Sequence, residues 1–219
     1  MYYIVIPLIQ FAEKIVLAIN LSHLSEGEMK EILLLQDRLS SLNNQEKCRD
    51  SFMEYIRYIW PQFIEGDHHR VVADCLNRVA SGELKRLIVN MPPRHTKSEF
   101  ASVYFPSWIM GLTPDTKIMQ TTHTSELSVR FGRKVRNLMD SEEYTKVFPN
   151  VSLSADSKSA GRWETAQGGE YFAAGVGGAI TGRGADLLII DDPHSEQDAL
   201  SPNLLEAAYE WYTSGPRQR

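Results

Sequence analysis

The hydrophobic positions along the chain fall into two textures. Up to about residue 81 they recur at helical spacing. Residues 24–41 and 46–59 read as helices; in the second, Phe52, Tyr55, Ile56 and Ile59 share one face, and Pro61 ends it. Residues 69–81 repeat the pattern with Val72, Leu76 and Val79, and Gly82 supplies a stop. Beyond that point the period changes. Residues 86–90 (RLIVN) form a short apolar run rich in branched side chains, the pattern of a buried parallel strand. A loop, 91–96, leads into a helix that Pro106 is expected to stop. KIMQT at 117–121 reads as a second strand, and Ser125 caps a helix reaching about Met139. The glycine-rich, alternating stretch 162–181 predicts a pair of strands with turns. DLLII at 186–190 is another buried strand, and 202–212 a helix. Strands alternating with helices predict an α/β domain with a largely parallel sheet.

The first 21 residues are apolar in blocks, but Pro7, Gln10, Glu13, Lys14 and Asn20 interrupt them. A membrane span needs about 20 nearly uncharged residues, and the Met-Tyr-Tyr start lacks the basic residues of a secretory signal. The segment is expected to be a packing helix or extension. Length and composition agree with one sizeable domain, 46–219, preceded by a helical extension, 1–45. The chain has 219 residues, with 42% hydrophobic, 10% aromatic and 23% charged residues, which excludes a disordered chain. The net charge of -5 does not itself attract nucleic acid, so any DNA contact must come from a local basic patch. Arg130, Arg133 and Lys134 on the 125–139 helix are one; the opposite face carries Leu127, Phe131, Val135 and Leu138. Cys48 and Cys75 form no C-x-x-C and read as reduced, packed thiols.

Two segments carry chemistry. Strand, loop, Lys97-Ser98, then helix is the layout of a phosphate-binding loop. Backbone N–H groups and a helix start meet the phosphates, a lysine meets their charge, and a hydroxyl serves Mg²⁺. The usual pattern is G-x-x-x-x-G-K-[ST]; here Pro92 and Thr96 hold the glycine positions. Thr is β-branched and disfavours the positive φ that glycine supplies. The second segment is Asp191-Asp192 after LLII. One carboxylate at a strand's carboxyl end suits a Mg²⁺ ion, and its neighbour an attacking water.

VNMPPRHTKSE, TTHTSELSVRFGRKVRNLM, ITGRGADLLIIDDPHSEQDA and WYTSGPRQR, in this order, resemble the large terminase subunit of tailed bacteriophages and prophages over roughly residues 50–219. That resemblance implies a RecA/ASCE-like P-loop NTPase fold that binds ATP and Mg²⁺ and moves double-stranded DNA into a procapsid. It implies a homo-oligomeric ring in the host cytoplasm, with a portal protein and a small terminase subunit as partners and no membrane. Residue by residue, it assigns Pro93, Arg94, His95, Thr96, Lys97 and Ser98 to the phosphate loop, with Arg94 as a catalytic basic residue. Ser98 and Asp191 would hold Mg²⁺. Asp192 stands where the family usually has a catalytic glutamate and is one methylene shorter; Glu196 is a weaker alternative. Arg183, between two glycines, matches an arginine that reaches a neighbouring subunit's nucleotide. Gln62 and His69 match the adenine-side region, where aromatics such as Trp60 and Phe63 can stack on a base; the His68-His69 pair lacks further ligands at zinc spacing. The family's next strand, coupling motif and nuclease domain are not among these 219 residues, so nuclease activity is not expected of them. Three other readings stay open: an inactive nucleotide-binding remnant, a helicase-type ATPase, and a metal nuclease using Asp191, Asp192 and His194.

Overall fold

The computed structural model describes residues 25–156, 159–180 and 182–218. The reading of residues 1–21 therefore lies outside the described residues. The described chain is mixed α/β: a four-stranded, mostly parallel sheet flanked by helices.

Helix α1, Glu26–Asp50, opens on a capping box in which Ser25 and Glu28 satisfy each other's backbone. It runs without interruption through 42–45, where two helices were expected to separate, and through the expected 45/46 domain boundary. Mid-helix asparagines cost only fractions of a kcal/mol. The actual break is Ser51, whose extended backbone caps α2, Phe52–Ile59. Helix α3, Asp67–Ala80, follows.

Helix α4 occupies 97–112 and does not stop at Pro106. Its first turn, Lys97–Glu99, passes into a π-turn, Phe100–Tyr104, and then into an α-helical segment, Phe105–Leu112. Proline has no N–H to give and its ring crowds the carbonyl four residues back. A widened turn just before it relieves both problems, so the helix continues.

Strand β1, Lys117–Thr122, is central. Helix α5, Ser125–Met139, and a short helix not foreseen from the pattern, α6, Glu142–Val147, follow it. Strands β2, Arg162–Glu164, and β3, Glu170–Gly175, form the expected antiparallel pair. Strand β4, Leu187–Ile190, and helix α7, Pro202–Ser214, complete the fold. The order is β2-β3-β1-β4; β3 and β4 both run parallel to β1.

Side chains alternate across this sheet as strand geometry requires. Ile118, Tyr171, Leu187 and Ile189 face the main core, with α1 to α6. Phe52 sits at its centre, fully buried, with ring centroids 5.6 Å from Phe100 and 5.4 Å from Trp108. Trp163 stacks on Tyr171 at 4.9 Å. Gly132 lets α5 lie close to β3, because a Cβ there would stand 2.6 Å from the Ala160 carbonyl and 2.9 Å from the Tyr171 ring. Met119, Phe172, Ala174 and Leu188 face the other side, where Ile180 and Trp211 of α7 cover them more thinly.

The expected strand at 86–90 does not form. These residues join no strand pair of the described sheet, and Ile88 is 86% exposed. Leu87 packs against the main core while Ile88 faces solvent, so the segment buries one side only. An apolar run becomes a strand only when a neighbouring backbone supplies ladder hydrogen bonds. In this sheet β4 pairs on one side, with β1.

Candidate functional site

The carboxyl ends of β1 and β4 and the start of α4 meet at one place. Asp191 continues the β1–β4 ladder, its N–H donating to the Thr121 carbonyl at 2.9 Å. This buries its side chain, 6% exposed, while Asp192 next to it is exposed. Lys97, 95 positions earlier, reaches across: its Nζ donates to Asp192 Oδ1 at 2.5 Å and lies 3.7 Å from Asp191 Oδ1. Burial pulls the Lys97 pKa down, but the hydrogen bond to Asp192 and the charges of both aspartates outweigh it, so the net shift is upward.

Behind Asp191 stands a buried polar chain. Ser102, on the π-turn, donates to Asp191 Oδ2 at 2.9 Å, and the Gln120 amide of β1 donates to Ser102 Oγ at 3.2 Å. Neither residue was anticipated. The available signal for Gln120 was its place inside the otherwise apolar core of a strand, where a polar side chain needs a partner. Ser102 lies inside an apolar helix and gives no signal in one dimension.

The backbone around these groups is strained. Non-glycine residues with positive φ among the described residues are Arg94 (65°), Thr96 (62°) and Asp192 (44°), and all three belong to the candidate site. Each such residue costs about 1–3 kcal/mol and persists only where its surroundings hold it, which is common at functional sites. Thr96 adopts the left-handed conformation that its glycine-like position requires. Its hydroxyl donates to the His95 carbonyl at 2.6 Å, and the His95 ring donates to the Pro93 carbonyl at 2.9 Å. At Asp192, the carbonyl accepts from the His123 N–H at 3.1 Å.

The remaining sequence candidates fall as follows. Arg94 is exposed on the loop, and Pro93 and His95 flank it; Ser98 is half-buried in the first turn of α4. His69 is buried beneath the loop with both ring nitrogens engaged, by the Gly66 N–H and by Thr96, which are the atoms a base edge would need. Gln62 is exposed after α2. Trp60 stacks on Tyr104 at 5.4 Å, and Phe63 packs against His69 and Phe100, so these aromatics contact one another. Arg183 lies at the other end of the sheet, roughly 20 Å away along the strands, where it pairs with Glu170 at 2.6 Å over the Phe172 ring. Lys134 pairs with Glu99 at 2.5 Å, leaving Arg130 and Arg133 as the exposed residues of the α5 patch. Beside Asp192 an open cleft is lined by His123, His194, Ser195, Glu196 and Gln197.

Magnesium calls for hard oxygen donors. Asp191, Asp192 and Ser98 supply that chemistry, and the Lys97 ammonium near both carboxylates stands in for a cation. Comparison with family models, with curated proteins and with solved structures finds no match. No helix among the described residues is long and apolar enough to cross a membrane.

Proposed function

We propose that this chain is a P-loop ATPase domain of the terminase large-subunit kind, hydrolysing ATP with Mg²⁺ to drive double-stranded DNA into a procapsid. The observation that carries the reading is the meeting of Lys97 with Asp191 and Asp192 at the carboxyl end of a parallel strand, beside a loop with positive φ at Arg94 and Thr96. Lys97 is the phosphate-binding cation. It leaves Asp192 when a β/γ-phosphate arrives, and Asp192 is then free to orient the attacking water. Ser98 and Asp191 hold Mg²⁺, which when bound neutralises charge on the transferred phosphoryl group. Ser102 keeps the Asp191 carboxylate aimed. Arg94 lies on the loop for the same phosphates, and Arg183 acts on a neighbouring subunit's nucleotide in a ring. A portal protein, a small terminase subunit and a location in the host cytoplasm belong to the same proposal.

A second reading, a remnant that binds nucleotide without turnover, is favoured by residues 86–90, which pair with no strand among the described residues and so leave the loop without a strand of that sheet behind it. Phosphate release from ATP, with duplex DNA present, distinguishes the two. The motor reading expects turnover that Lys97→Ala lowers at least about 100-fold, the scale on which single electrostatic contacts to a transition state act. Nucleotide binding with no wild-type turnover selects the remnant. Portal binding without strand separation separates a packaging motor from a helicase-type ATPase.

A further inference from the structure

The left-handed Thr96 needs something to hold it. His69 is the third residue of α3, and its Nδ1 accepts from the N–H of the capping residue Gly66 at 2.9 Å. That bond fixes the tautomer: the hydrogen sits on Nε2. Nε2 lies 2.8 Å from Thr96 Oγ1, so the ring donates there, and the hydroxyl passes its own hydrogen to the His95 carbonyl. The chain of donors therefore runs in one direction, from Gly66 through His69 and Thr96 into the loop. The ring is 5% exposed and is packed between Phe63 and Phe100.

We propose that His69 is a positioning residue, a neutral latch that pins Thr96 in its left-handed conformation and so shapes the 91–98 loop for nucleotide phosphates. The phosphate part of this rests on the ATPase reading above; the latch itself does not. The latch also requires an unprotonated Nδ1, because a protonated ring cannot accept from Gly66. The titratable groups facing the ring are His68 beside it on α3, His95 from the loop, and Glu65 from the turn before α3; α4 presents Phe100. Glu65 is held anionic by Arg57 and Arg70. Burial, then the neighbouring His68, push the His69 pKa below its ordinary 6.5, which favours the neutral ring in the folded protein. The latch is complete above that ordinary value and its contribution to stability is lost as pH falls below it, where the unfolded chain binds the proton first.

A double-mutant cycle tests this, because glycine adopts positive φ without help. Binding of Mg²⁺ with a fluorescent ATP analogue is measured for wild type, His69→Ala, Thr96→Gly and the double variant. His69→Ala is expected to weaken binding about tenfold in the wild-type background, the combined scale of a buried hydrogen bond and a strained residue, and less than about twofold once Thr96→Gly is present. His69→Gln, which keeps a donor and an acceptor but takes up no proton, restores most of the affinity and removes the loss seen on acidification. An equal loss from His69→Ala in both backgrounds, or no loss in either, overturns the proposal. If the wild type binds no nucleotide, the ATPase reading falls, and the same cycle is read from thermal unfolding. Coupling between His69→Ala and Thr96→Gly then supports the latch, and strict additivity overturns it.

Discussion

The two halves of the candidate site are built in opposite ways. The acidic half hangs from β4, a strand paired with β1 along its length, and Asp191 is backed by Ser102 and Gln120 in the buried core. The loop half hangs from 86–90, which has no ladder partner among the described residues, and the loop is shaped by side-chain hydrogen bonds from His69, Thr96 and His95. The acidic half is thus positioned by the sheet, and the loop half by a few local contacts.

Three substitutions probe the contrast. The largest effect is expected from Ile189→Ala on β4. Ile189 is 9% exposed and faces the main core, so truncation should cost about 2–5 kcal/mol in urea unfolding. A loss below about 1 kcal/mol would mean that β4 is not the anchored half. Next is Ser102→Ala, which strips Asp191 of a buried donor and the Gln120 amide of its acceptor. Hydrogen bonds to charged groups contribute about 1.5–3 kcal/mol, and a destabilisation of that size is expected by the same assay. Stability indistinguishable from wild type would remove Ser102 from the support of Asp191. The smallest effect is expected from Ile88→Ala. An exposed apolar side chain outside the ladder should change stability by less than about 0.5 kcal/mol. A cost comparable with that of Ile189→Ala would show that 86–90 is a packed strand after all, and would erase the contrast.

The acidic half was the more legible in sequence. Four aliphatic residues followed by two aspartates report a strand and the acids at its carboxyl end; the strand is less buried than the run suggests, with Ile189 buried and Ile190 exposed. Lys97 was legible as a cation at the start of a helix because its loop and helix bracket it, but its pairing with Asp192 was not. The helix faces were legible too: Phe131 and Val135 are buried as the spacing of α5 requires. What failed was non-local. Whether RLIVN is a strand depends on a neighbouring backbone, which no local period reports. The holder of Thr96 lies 27 positions away, and His69 looked like a base contact because its ring chemistry suits either task. Ser102 was hidden by the π-turn, which moves it off the spacing an α-helix would give. Proline at 106 was read as a stop because the rule it follows concerns α-helical turns, and the turn before it is not one.

That π-turn bears on how this chain should be compared with any other. A turn of this kind holds one residue more than the α-helical turn it replaces. Removing a single residue from Phe100–Tyr104 would restore an ordinary α-helical turn and leave the two flanking segments with nearly the same relative aim. The 91–96 loop and the Pro106–Trp108 anchor therefore keep their relative aim because the π-turn absorbs the extra residue. An alignment that forbids a gap inside this helix will match one end of it or the other, but not both.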